Sequence, residues 1–147
     1  MNSILKHLRI LTAFVAGLVL AFILLIGVEL LSNVVHPLPS EFKGTQEEIC
    51  QHVANYPTWV LAVVVIAWGT IAAVSTWTAR RIGNAYSAAI LGVLLIAGVG
   101  MNLFMLPYPR WFEAVMLPVV GVAISWSGRP WITNSNETAS VSLASSS

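Results

Sequence analysis

Few side chains here can do chemistry, and four of them fall toward one end of the chain's apolar runs: Glu29, His36, Asn102 and Glu113. Glu and His are the ordinary proton donors and acceptors of catalysis, and an ionisable group at membrane depth is costly enough to mark a proton or cation site by default. Glu29 is the only carboxylate in the apolar run Ile10 to Leu31. Measured from Arg9, it lies about 30 Å along a helix that rises about 1.5 Å per residue, at the outer edge of the hydrocarbon. There it can reach the headgroups, so an interfacial role competes with a binding role. Asn102 should sit slightly deeper in the same leaflet, within reach of a Glu29 to Asn102 hydrogen bond worth about 1 kcal/mol. Glu113 opens the last apolar run, where a negative charge complements the helix dipole by about 0.3 to 1 kcal/mol. Trp68 stands midway along the second run with an indole N–H that needs an acceptor, so it reads as a core wedge or as the wall of a cavity.

Other chemistries are poorly supplied. Cys50 is the only cysteine, which leaves no disulfide and no two-cysteine relay within one copy, and it reads as a small hydrophobe in a loop helix. His36 has no partner at metal-ligand spacing, and Cys50 with His52 is too little for a metal site, so both histidines read as solvated loop residues. Asp is absent and all six acidic residues are Glu, which argues against a carboxylate-rich metal cage. No cofactor motif is present. The net charge of +1 carries no basic cluster, so nucleic acid is not expected as a partner.

The elements that position these residues follow from composition. With 57% hydrophobic and 9% charged residues among 147, the chain is solvated by lipid rather than water. Four apolar runs, 10–31, 59–78, 85–106 and 111–126, predict an all-α membrane protein, a four-transmembrane-helix bundle in one domain over 1–132. The last run is short, about 24 Å of helix, with Pro118 inside it. Pro109 suits its first helical position. The first run exceeds a signal-peptide core and reads as a retained span. Thr45 and Glu48 form a capping box that predicts a short surface helix in the first outer loop, with Ile49, Cys50, Val53 and Ala54 on its apolar face. The Ser- and Thr-rich tail 133–147 has too little apolar surface to order itself.

Lys6, Arg9, Arg80, Arg81 and Arg129 fall on one side of the runs, against Lys43 and Arg110 on the other, which places both termini in the cytoplasm of a bacterial inner membrane. Tyr56, Trp59, Tyr108 and Trp111 then form an outer aromatic belt, and Trp77, Tyr86, Trp126 and Trp131 an inner one. Small residues four apart predict close helix approach: Ala13, Gly17 and Ala21, Gly69 and Ala73, Ala88 and Gly92, Gly121 and Ser125.

Gly27, Glu29, His36 with Pro37 and Pro39, Tyr56 with Pro57, Asn102, and Pro107, Pro109, Trp111 and Phe112 stand in this order on four runs. In this the chain resembles a family of small uncharacterised four-span bacterial inner-membrane proteins over about its first 125 residues. Those proteins tend to carry His between the last two prolines, where this chain has Tyr108. The resemblance implies a fold and a location and names no activity. Small multidrug exporters also place a Glu in the first of four spans, but near the membrane centre and without a long following loop.

Three function classes remain. The first is a non-enzymatic accessory or interaction module, whose partners are the lipid bilayer and a second copy or another membrane protein, since no nucleophile with a base, metal set or phosphate loop is present. The second is a transporter or channel in which Glu29, Asn102 and Trp68 line an outward-facing vestibule. The third is an enzyme acting on lipid or isoprenoid substrates, using Glu29, His36 and Glu113 as acid and base.

Overall fold

In hydrocarbon, backbone N–H and C=O groups have no water to bond, so apolar segments satisfy them internally as helices. The computed structural model describes residues 2–127, which form five α-helices and, among these residues, no strand. They are α1 (Asn2–Val35), α2 (Gln46–Ala54), α3 (Thr58–Ile82), α4 (Ala85–Met105) and α5 (Arg110–Ser127). Three of them, over Ser3–Val35, Thr58–Ile82 and Ala85–Met105, are long and apolar enough to cross a membrane, which marks the protein as membrane-embedded. The fourth expected span forms α5 but does not meet that measure. Its 18 residues include Arg110, Glu113, Pro118, Ser125 and Ser127, which dilute its apolar content.

Helix α1 is longer at both ends than the run 10–31, because hydrogen bonding continues through residues too polar for lipid, as where the His7 ring pairs with the Ser3 carbonyl at 2.7 Å. Helix α2 carries the expected capping box: the Thr45 hydroxyl accepts from the Glu48 amide, and the Glu48 carboxylate accepts from the Thr45 and Lys43 amides. Those amides, Thr45 first, hold the Glu48 carboxyl below its ordinary range. Asn84 caps α4 by accepting from the amides of Tyr86 and Ser87. Pro109 stands just before α5 rather than inside it, and its carbonyl accepts from Phe112 and Glu113. The tail 133–147, and also Arg129 and Trp131, lie outside the described residues.

Helix α3 is the centre of the assembly. It packs against α1, α4 and α5; α4 also touches α1 and α5, while α1 and α5 make no direct helix contact among the described residues. The small-residue faces explain the close approaches on three helices. Ala13, Gly17 and Ala21 are buried, and a Cβ on Gly17 would lie 2.5 Å from Leu91 Cδ2 and 2.9 Å from the Ser75 carbonyl. Gly69 receives Val119 and Gly92 receives Ile124 at similar range. The expectation for α5 is corrected: Gly121 has open space where a Cβ would stand, and Ser125 is exposed. That helix packs instead through the buried Phe112, Met116 and Val120.

Hydrogen bonds fix which ends meet. At one end Arg9 donates to the Ile82 carbonyl at 2.8 Å, and the Thr76 and Ser127 hydroxyls pair at 2.5 Å. At the other end Ser32 meets Tyr56, and the Gln46 amide reaches the Met105 carbonyl. The long helices therefore alternate in direction, with α2 beside the end of α1, the start of α3 and the end of α4.

Candidate functional site

Near the end of α1, Glu29, Ser32 and His36 recur at intervals of three and four, so they share one side of the helix. On α3, Leu61, Val64 and Trp68 do the same. Between these faces, Asn102 of α4 and Tyr108 of the α4–α5 connection complete a cavity of about 410 Å³. Its polar lining is Glu29, Ser32, Tyr56, Asn102 and Tyr108, with the Trp68 indole beside them, and the rest of its wall is aliphatic and aromatic. Tyr108 donates to Asn102 Oδ1 at 3.1 Å, and the Ser32 and Tyr56 hydroxyls are 2.7 Å apart. Burial, with the nearby Tyr56 adding to it, pushes the Tyr108 phenol up to about 12, so it remains a donor through the physiological range.

Next to this cavity the histidines pair. The His36 and His52 rings stack with centroids 4.4 Å apart, and Tyr56 lies against both, at 4.9 and 5.4 Å. His36 Nε2 is buried with no hydrogen-bond partner among the described residues. Loss of solvent, and then the facing His36, push the His52 imidazole below its ordinary value. A second recess of about 440 Å³ opens on this pair, with Glu41, Phe42 and Glu48 among its walls. Among the described residues no three His, Cys, Asp or Glu side chains gather as they would around a metal ion.

The structure thus brings Glu29, Asn102 and Trp68 to one cavity and leaves the other candidates outside it. The expected Glu29 to Asn102 bond is not formed; the only side-chain bond of Asn102 among the described residues is the one its Oδ1 accepts from Tyr108. His36 faces the adjoining recess. Glu113 is exposed on the first turn of α5 and lines neither space, which separates it from the other two groups of the acid–base reading. The histidines are not solvated loop residues, since both are half-buried and stacked. Tyr56 and Tyr108 turn inward, whereas Trp59, Trp111, Trp77, Tyr86 and Trp126 are exposed.

Sequence reasoning missed Ser32, Tyr56, Tyr108 and the His36–His52 pair. For Ser32 the helical interval from Glu29 was a usable signal. The fifteen positions between the two histidines carry none, because only the fold of the connecting loop joins them. No family model, curated protein or solved structure matches this chain. The class of protein is defined by the fold and site together: a membrane-embedded helical protein with a partly polar cavity at the end bearing α2.

Proposed function

We propose that the chain is a four-span protein of the bacterial inner membrane that binds a small molecule in the α1–α3–α4 cavity and moves it or a coupled proton across the bilayer. The observation that carries this reading is the convergence of Glu29, Trp68 and Asn102, one residue from each of three helices, on a single space. A cavity of several hundred cubic ångströms, mostly apolar with a few polar groups, has the character of a small-molecule site. The fourth span is α5, which packs along α3 and, at about 1.5 Å per residue, is about 27 Å long. Lys6, Arg9, Arg80 and Arg81 at the end opposite α2 support cytoplasmic termini, with the cavity facing outward. The resemblance to small four-span inner-membrane proteins agrees with that location.

The test is proton entry into proteoliposomes, followed with entrapped pyranine under a potassium diffusion potential. The full chain should exceed empty vesicles, and Glu29→Gln should lose at least about fivefold of the excess while eluting as the wild type does. Equal flux in the two proteins removes the transport role. A second reading, the accessory or interaction module, draws support from the long exposed apolar face of α1, including Leu11, Val15, Val19 and Phe22, which a second copy or another membrane protein would cover.

A further inference from the structure

The lining groups of the α1–α3–α4 cavity do not share their hydrogen bonds evenly. Ser32 and Tyr56 satisfy each other, and Tyr108 donates to Asn102, so four of the five polar side chains are engaged within the wall. Glu29 has neither a hydrogen bond nor an ion pair to any of the described residues; its side chain is exposed at the open side of the same space. An anionic ligand would meet that carboxylate unfavourably. A neutral one would leave it unpaired. A bare metal cation needs a shell of about six oxygens, several of them carboxylate, and Glu29 is the only carboxylate lining this cavity.

The remaining walls complete the chemistry. Tyr56, Trp68 and Tyr108 surround the polar side with aromatic rings, which attract an ammonium group by about 0.5 to 2 kcal/mol each when desolvated. Phe22, Leu25 and Ile26 continue the cavity along α1, and Phe22 and Ile26 are more than half exposed, so this side opens toward the acyl chains. We propose that the cavity takes an amphipathic organic cation, its ammonium head beside Glu29 among Tyr56, Trp68 and Tyr108, and its hydrocarbon arm along Phe22, Leu25 and Ile26. The proposal rests on the cavity being a binding site, as the transport reading requires. A lipid-borne amine and a free alkylammonium share this chemistry.

The experiment uses the full chain in nanodiscs of zwitterionic lipid and equilibrium dialysis against octyltrimethylammonium, octanol and octyl sulfate, with empty discs subtracted. Saturable binding of the cation, one per chain, is expected, at least about tenfold weaker in Glu29→Gln and unchanged in Glu113→Gln. Glu29→Asp, which keeps the charge, should retain part of the affinity and guards against a folding defect in the Gln variant. Discs made with an amine-headed lipid should reduce the binding if a lipid is the natural occupant, and should leave it unaltered if the occupant is a free alkylammonium. If octanol binds as tightly as the cation and Val64→Phe abolishes both, the cavity is a site and the charge preference is overturned. If no probe binds saturably, the cation proposal and the binding reading fall together.

Discussion

His52 shows how one residue's surroundings set its behaviour. Its proton affinity in the folded chain is below the ordinary histidine value of 6.5, first because α2 holds it partly out of water and second because His36 faces it. The folded state then binds fewer protons than the unfolded one in mildly acid solution, so stability is present above 6.5 and declines as pH falls below it. Hydrogen exchange across α2, corrected for intrinsic rates, should accelerate from about pH 7.5 to about pH 5.5 in the wild type. His52→Phe keeps an aromatic ring on His36 and should remove most of that dependence; a wild-type profile flat with pH would refute the assignment. Glu29 is the contrasting case. Its type and position in the apolar run marked it in the sequence, while its company of Tyr56, Trp68 and Tyr108 came from helices and loops far along the chain.

Among the elements, the small-residue faces give a matched pair of tests. Gly17 of α1 sits where a Cβ would press on the Ser75 carbonyl at 2.9 Å, and a backbone atom cannot rotate away as a side chain does. Gly17→Ala should therefore separate α1 from α3 at a cost of about 1 to 3 kcal/mol, read as a lowered unfolding midpoint in detergent. Gly121→Ala on α5 meets nothing within 4 Å and should stay within about 0.5 kcal/mol of the wild type. Equal effects of the two changes would mean that close approach at Gly17 is not what seats α1. The spacing of small residues was legible on α1, α3 and α4, yet the same pattern on α5 faces away from the other helices. A four-residue interval records only that two positions share a face, and what lies opposite is decided by the neighbouring helix. The capping box at Thr45 and Glu48 was legible in full because all its partners lie within four residues.

For the whole molecule, the alternation of helix direction puts Arg9, Arg80 and Arg81 at one end and α2 at the other. The proposed orientation makes the α2 end external. In a Cys50→Ser background, a cysteine replacing exposed Glu41 should react with a membrane-impermeant maleimide in intact spheroplasts, and one replacing exposed Tyr86 only after permeabilisation. The opposite labelling would reverse the topology and turn the cavity toward the cytoplasm. Because α3 touches the other three long helices while α1 and α5 remain apart, the space beside Glu29 is bounded by α1, α3 and α4, with Tyr108 reaching in from the α4–α5 connection.

Read alone, the sequence determined that the chain is helical and membrane-embedded, where α2 begins, and that Glu29 is an expensive residue to place, but it counted four spans where three helices are long and apolar enough to cross. These are local properties: backbone groups in lipid must bond within their own segment, and the cost of a charge depends on its depth. Only the tertiary structure decided that Glu29, Trp68 and Asn102 share a cavity, that Tyr108 donates to the Asn102 oxygen, and that His36 stacks on His52. Those outcomes depend on which helix faces which across gaps of many residues, and packing among four long apolar helices has several solutions of similar burial from which periodicity cannot choose.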